Sequence, residues 1–169
     1  MKHVFEDEEE SETLLHIAVK YSDDSEMIRR IVKMCPELLT ISRGDSKNYK
    51  GQTPLHIAIT KRDYEVTKLL LSDSKQMKSI LKTKATGSIF TNTVMMGELP
   101  LHVAALTLDE NIMEILLDKK PKMRAKNSCG DTVFHSLVKY AAIYPNKSDS
   151  VIKMLTYLTD KIKKKGYFK

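Results

Sequence analysis

The chain has 169 residues, of which 41% are hydrophobic and 30% are charged, and this length and composition are typical of one folded domain. Hydrophobic clusters recur along the whole sequence and no apolar run approaches roughly 18 residues, so neither general disorder nor a membrane-spanning helix is expected. The net charge is +6 and the two cysteines, Cys35 and Cys129, are too few for a zinc-ligand set or a disulfide framework, which favours a reducing compartment.

The two ends of the chain carry opposite charge. Residues 1–11 form an acidic segment without the apolar stretch that a secretory signal requires, so we expect a protein made in the cytosol. Residues 161–169 form a basic tail, for which a solvated helix end is the simplest interpretation. Binding of nucleic acid or of an anionic membrane surface is the alternative role of such a tail. The predicted folded domain spans residues 12–160.

A six-residue motif occurs four times in this domain. The copies read TLLHIA, TPLHIA, LPLHVA and TVFHSL, and they start at Thr13, Thr53, Leu99 and Thr132. This pattern resembles the T-P-L-H-x-A signature of ankyrin repeats. The starts lie 40, 46 and 33 positions apart, and because an ankyrin repeat has about 33 residues, the two longer intervals contain insertions. The predicted fold is therefore an all-α ankyrin-repeat solenoid of about four helix-pair repeats with long finger loops.

The motif residues suit the start of a helix. Thr13, Thr53 and Thr132 are good N-cap residues, and Pro54 and Pro100 fit the first helical position, where a missing N–H does no harm. Each motif is followed by a second apolar cluster, at residues 27–32, 66–71, 112–117 and 151–158. We therefore expect four stacked helix pairs, with the weakest motifs in the first and fourth copies.

Four of the five histidines occupy the same motif position: His16, His56, His102 and His135. A metal site would need them to converge, whereas stacked repeats hold them about one repeat apart, with no cysteine or carboxylate pair to complete a tetrahedral set. We therefore expect structural, hydrogen-bonding histidines and no bound metal. The sequence contains no Gly-rich phosphate loop or nucleophile elbow, so no enzymatic activity is predicted.

The insertions between repeats are the segments where we expect residues with a specific function. The first, at residues 35–52, ends in the turn residue Gly51, and the second is a long finger over residues 72–97. Long loops in compact domains are usually functional or disordered, and apolar residues in the second finger would form an exposed patch unless they dock on a partner. We predict a protein interface there, with folding back onto the repeats as the alternative. The interface residues are Ile89, Phe90, Val94, Met95 and Met96.

Four segments carry a more specific resemblance. They read NYKGQTPLHIAI, KATGSIF, MGELPL and NSCGDTVFH, at residues 48–59, 84–90, 96–101 and 127–135. In their order and irregular spacing they resemble the cytoplasmic ankyrin domain of vanilloid-type transient receptor potential (TRPV) cation channels. The segments at 36–39 and 85–87 resemble the calcium-selective epithelial branch of that family. The resemblance extends from about Glu12 to Leu158 and implies four repeats of a six-repeat domain.

The resemblance also implies functional residues. In this family the fingers and the concave face contact neighbouring subunits and cytosolic regulators, and some members bind ATP on the concave face. Tyr49 and Gln52 stand at the base-side positions, but Glu12 and Ile17 stand where the two phosphate-binding lysines would be. Losing two charge-assisted contacts removes most affinity, so no ATP and no other cofactor is expected. The concave-face and loop candidates are Tyr49, Lys50, Gln52, Lys61 and Arg62.

The predicted function is that of a protein-interaction module at the cytoplasmic face of a TRPV-like, calcium-permeable channel, acting in subunit assembly and gating. Its partners would be neighbouring subunits and cytosolic regulatory proteins, with no nucleic acid, and the isolated domain would be monomeric. A free-standing ankyrin adaptor is the alternative. An enzyme would need a catalytic domain outside these residues. Six apolar segments downstream of Lys169 in the full transcript would indicate a channel, and a stop codon would indicate an adaptor.

Overall fold

The computed structural model describes residues 12–44, 47–72, 74–91 and 98–165, and the regular structure in these ranges is helical. Two short 3₁₀ turns, Pro36–Leu39 and Pro145–Lys147, accompany the α-helices. The helices are α1 (Leu14–Tyr21), α2 (Ser25–Met34), α3 (Pro54–Lys61), α4 (Tyr64–Leu70), α5 (Ser74–Ile80), α6 (Ser88–Thr91), α7 (Pro100–Leu106), α8 (Glu110–Leu117), α9 (Val133–Ile143) and α10 (Ser148–Lys165).

Four helix pairs stack in one row: α1 with α2, α3 with α4, α7 with α8, and α9 with α10. In one layer α1 packs against α3, α3 against α7 and α7 against α9. In the other layer α2 packs against α4 and α4 against α8. The motif leucines Leu15, Leu55 and Leu101 are buried between the layers. This arrangement of neighbouring pairs is a one-dimensional solenoid, and it confirms the predicted fold class.

The motifs begin the first helix of each pair as their sequence predicts. Thr13, Thr53 and Thr132 are the N-cap residues of α1, α3 and α9. Pro54 and Pro100 are the first residues of α3 and α7. The second helices use a different device, because an aspartate caps the start of α2, α4 and α8 and accepts hydrogen bonds from backbone N–H groups of the first turn. Both N-cap types therefore satisfy helix N–H groups that have no partner within the helix.

The second insertion is more ordered than an irregular finger. α5 and α6 lie within residues 72–97, where the sequence predicts a loop. Ile80 is fully buried, and Met77 and Leu81 pack against the same core. These three residues have the i, i+3, i+4 spacing of an amphipathic helix, which explains why this stretch folds onto the repeats.

The last helix extends beyond the predicted domain boundary. α10 continues past residue 160 to Lys165, and Ile162 is only 4% exposed. The side chain of Lys161 pairs with Glu114 of α8. The start of the basic tail is therefore part of the packed helix. Even α10 is too polar to span a bilayer, and the other helices in the described ranges also lack the required length and hydropathy.

Candidate functional site

Three motif histidines join neighbouring repeats through the same hydrogen bond. In each case Nε2 donates to the backbone carbonyl oxygen of the residue directly before the next motif, so one imidazole holds the start of the following repeat. The histidines are buried, and the bonds are therefore shielded from water. The pairs are His16 with Gln52 at 3.0 Å, His56 with Glu98 at 2.9 Å, and His102 with Asp131 at 3.1 Å.

The hydrogen bonds around His56 require the neutral imidazole. The backbone N–H of Thr53 donates to Nδ1 at 3.2 Å, and the Thr53 hydroxyl lies 2.8 Å from the same atom. Nδ1 is therefore an acceptor, and Nε2 carries the single ring proton. Burial lowers the pKa of His56 to about 4, because removal from water disfavours the charged ring. Burial lowers the pKa of His16 and of His102 for the same reason.

The third and fourth motifs depart from this pattern. Leu99 replaces the threonine of the third motif and has no hydroxyl, and His102 Nδ1 is buried without a hydrogen-bond partner among the described residues. His135 is exposed, and its Nδ1 lies 2.8 Å from the Thr132 hydroxyl. The four histidines do not converge. Within the described ranges no group of three or more His, Cys, Asp or Glu side chains is placed to hold a metal ion.

The same three carbonyl groups also form a backbone hydrogen bond across the base of each finger. Each accepts a second hydrogen bond, from the backbone N–H of the residue at which its finger leaves the repeats. The donors are Arg43 for Gln52 at 2.9 Å, Ala85 for Glu98 at 2.8 Å and Asn127 for Asp131 at 2.9 Å. We name the surface formed by residues 43–44, 47–52, 85–89, 98 and 127–131 the finger edge.

Hydrogen bonds join the first two fingers to each other. The N–H groups of Thr86 and Gly87 donate to the carbonyl oxygen of Lys50 at 2.7 and 2.9 Å. The Ser88 hydroxyl donates to the side-chain oxygen of Asn48 at 2.6 Å. A Cβ atom on Gly87 would lie 2.1 Å from the backbone oxygen of Asn48, a separation that no side chain tolerates. Glycine is therefore required for the close approach of the two fingers.

A buried ion pair anchors the first finger to the first repeat. Arg43 Nη1 lies 2.9 Å from Glu12 Oε1, and the two side chains are only 2% and 3% exposed. The Tyr49 ring stacks near the Arg43 guanidinium, with 4.4 Å from the centroid to Cζ. Gln52 Oε1 accepts a hydrogen bond from Arg43 at 3.4 Å and Gln52 is buried. Tyr49 and Gln52, predicted as concave-face candidates, thus contact the interior of the protein through Arg43.

The three basic candidates do not form one site with this pair. Lys50 is exposed on the finger edge. Lys61 Nζ donates to the carbonyl oxygen of Val19 at 3.0 Å, near the end of α1. Arg62 Nη2 donates to the carbonyl oxygen of Thr107 at 2.9 Å, at the end of α7. Cations stabilise helix C-termini, where carbonyl groups lack helical partners. Lys61 and Arg62 therefore link the second repeat to its two neighbours.

The predicted apolar patch is only partly described by the structure. Ile89 is half-buried and packs against the core, and its N–H donates to the carbonyl oxygen of Asn48 at 3.2 Å. α6 thus folds back onto the first finger and covers part of Ile89, as the alternative of folding onto the repeats implies, and the interface role of Ile89 stays a prediction. Phe90 belongs to α6. Val94, Met95 and Met96 lie outside the described residues.

Sequence reasoning missed the residues that organise the finger edge. Arg43 carries no recognisable motif, and Glu98 and Asp131 act largely through backbone carbonyl groups that every residue has. For Glu98 and Asp131, the one available signal is the position directly before a motif.

Comparison with known proteins finds ankyrin repeats in this chain. The family model described as "Ankyrin repeats (3 copies)" matches residues 2–80, which include the first two motifs. No curated protein matches the chain. Ankyrin solenoids present extended surfaces to protein partners, and a protein-interaction module is therefore the function that the repeats indicate.

Proposed function

We propose that this chain is a protein-interaction module at the cytoplasmic face of a TRPV-like cation channel, in which the finger edge and the rest of the second finger contact a neighbouring subunit and take part in assembly and gating. One observation carries the proposal. The segments that resemble the TRPV ankyrin domain are the segments that build the finger edge: Asn48 and Lys50 belong to the first, Thr86 and Gly87 to the second, and Glu98 to the third.

The geometry of the finger edge favours a binding role. The three finger bases are tied to repeat helices by histidine bonds, and the carboxylate of Glu98 accepts hydrogen bonds from Ser128 N–H and Oγ, both at 2.7 Å. Neighbouring fingers are thus connected in series. A surface whose backbone is already ordered loses little conformational entropy when a partner binds, and this lowers the free-energy cost of association.

The first experiment establishes the context of the chain. The full transcript is sequenced downstream of the codon for Lys169, and the complete protein is expressed in cells for whole-cell recording of cation current. We expect six apolar segments downstream and a calcium-permeable current. A stop codon directly after these residues, or a complete protein without membrane segments, would contradict the channel proposal and leave the adaptor.

The second experiment tests the finger within the complete protein. Phe90→Ser combined with Met95→Ser should reduce tetramer yield or alter gating while the isolated domain keeps its melting temperature. Met34→Ser combined with Ile152→Ser is the matched control, because both are exposed apolar residues outside the fingers and their replacement should change neither the melting temperature nor the channel. A channel unaffected by the double substitution would show that the finger is not the interface.

A further inference from the structure

A cleft with a volume of about 570 Å³ lies between α5 and the segment that follows α8. Its floor is apolar and includes Leu99, Leu101 and Pro121, all of them buried. Seven lysines surround the floor, three from residues 78–84 on one wall and four from residues 119–126 on the other. No acidic residue is among the described residues that line the cleft. An apolar recess is thus bordered on both sides by positive charge.

The positive charge of the cleft is poorly compensated by the protein itself. Lys84 Nζ lies 4.0 Å from Glu98 Oε2, and this carboxylate oxygen already accepts two hydrogen bonds from Ser128. The other six lysines make no ion pair with the part of the chain that the structure describes. Like charges on the walls of a concave surface reinforce one another and concentrate anions there.

The apolar floor of the cleft indicates which class of anionic ligand would fit there. A small anion or a nucleic-acid backbone would use the lysines and leave the apolar floor without a contact. The described residues that line the cleft also include no aromatic ring on which a base could stack. A flat membrane surface would meet the lysines at the rim rather than the buried floor. A peptide with acidic residues on both sides of a large apolar side chain matches both features, since its anchor fills the recess while its carboxylates face the lysines.

We infer that this cleft binds an acidic segment of a partner protein that inserts a large apolar side chain between the two lysine walls. The cleft lies beside the finger edge and uses different residues, so the inference stands whether or not the chain belongs to a channel. Lys78 and Lys122, on opposite walls and both exposed, are the residues placed to contact the carboxylates on the two sides of the anchor.

The test uses the full chain and a fluorescein-labelled peptide, EEEFLEEE, titrated by fluorescence anisotropy. EEESSEEE keeps the charge without the anchor, and QQQFLQQQ keeps the anchor without the charge. We expect EEEFLEEE to bind at least about tenfold more tightly than either control and to weaken as salt is added. Equal affinity for EEEFLEEE and EEESSEEE would show a site for anions alone and would overturn the inference.

Charge substitutions locate the binding site. Lys78→Glu combined with Lys122→Glu should weaken peptide binding by at least about tenfold. Lys33→Glu combined with Lys153→Glu is the matched control, because it makes the same change in net charge at exposed positions outside the cleft. If the first pair impairs folding, Lys78→Gln with Lys122→Gln replaces it. Equal weakening by the cleft and control pairs would contradict the assignment.

Two further measurements exclude other occupants. Vesicles of phosphatidylcholine and phosphatidylserine should bind no more weakly to the Lys78 and Lys122 variant than to the control variant, and a selective loss would indicate a membrane site instead. A zero-length carbodiimide cross-linker is applied to the protein without peptide. Cross-links from acidic residues 6–10 to the cleft lysines would show that the chain fills its own cleft and would overturn the assignment to a partner.

Discussion

His56 Nε2 lies 2.9 Å from the backbone carbonyl oxygen of Glu98, a residue 42 positions further along the chain. The same oxygen accepts the N–H of Ala85 at 2.8 Å. One buried carbonyl group therefore joins a helix of the second repeat, the base of the long finger and the start of the third repeat. Removal of the imidazole leaves a buried acceptor with one donor fewer, and such losses are costly away from water.

We expect His56→Ala to lower the free energy of unfolding by more than about 1 kcal/mol, because it removes this buried hydrogen bond together with ring packing. Urea denaturation followed by circular dichroism measures the change. His135→Ala is the matched control and should change stability by less than about 0.5 kcal/mol, since His135 is exposed and joins no following motif. Equal losses in the two variants would contradict a role for the histidine between repeats.

Acidification should destabilise the fold. The pKa of His56 is about 4 in the folded protein, well below the value of about 6.5 in an unfolded chain. Between these values the unfolded state binds more protons, so stability falls as the pH is lowered, by up to about 1.4 kcal/mol per pH unit for each such histidine. His16 and His102 act in the same direction, because burial lowers the pKa of both.

Urea denaturation at a series of pH values measures this effect. The free energy of unfolding should decline below about pH 6.5, and the decline should be shallower in the His56→Ala variant. Identical slopes in the two proteins would show that His56 does not titrate on unfolding.

The contact between the first two fingers should depend on a single glycine. In Gly87→Ala the added methyl group would collide with the backbone of Asn48, so we expect a loss of about 2 kcal/mol or more, or a local opening of the finger edge. Gly44→Ala is the control, since a Cβ atom there meets no other atom within 4 Å. Thermal melting and hydrogen exchange at Thr86 and Ser88 report the two effects. Unchanged hydrogen-exchange protection in Gly87→Ala would contradict the described contact between the first two fingers.

The buried ion pair between Arg43 and Glu12 should show strong coupling. Arg43→Met leaves the buried carboxylate of Glu12 without its closest cation, and we expect a loss of about 3 kcal/mol. Combining it with Glu12→Leu should restore part of that stability, because no buried charge then lacks a partner. A double-mutant cycle by urea denaturation measures the coupling free energy. Additive effects of the two substitutions would show that the pair does not interact.

The repeats could be predicted because the interactions that start each helix lie within a few neighbouring residues. Thr53 caps a helix that begins one residue later, and His56 lies three positions after it, so a short motif contains the whole arrangement. The departure at Leu99 is also visible in the sequence. Its consequence, a His102 ring nitrogen buried without a partner among the described residues, requires the packed structure.

The finger edge and the lysine cleft could not be predicted because they depend on distant residues. Glu12 and Arg43 are separated by the whole first repeat, and neither belongs to a motif. The lysines of residues 78–84 and 119–126 line one cleft although they belong to separate segments of the chain. Sequence periodicity reports which residues face a core, but it contains no information on which surface charges the stacking brings together.

The histidine bonds run from repeat to repeat, so tension along the row would act on them in series. Elements in series carry the same force, and the weakest one opens first. The ring of His102, which bonds Asp131, lacks the second anchor that threonine gives to His16 and His56. A stretched solenoid would therefore part between its third and fourth helix pairs, leaving the first three as one unit.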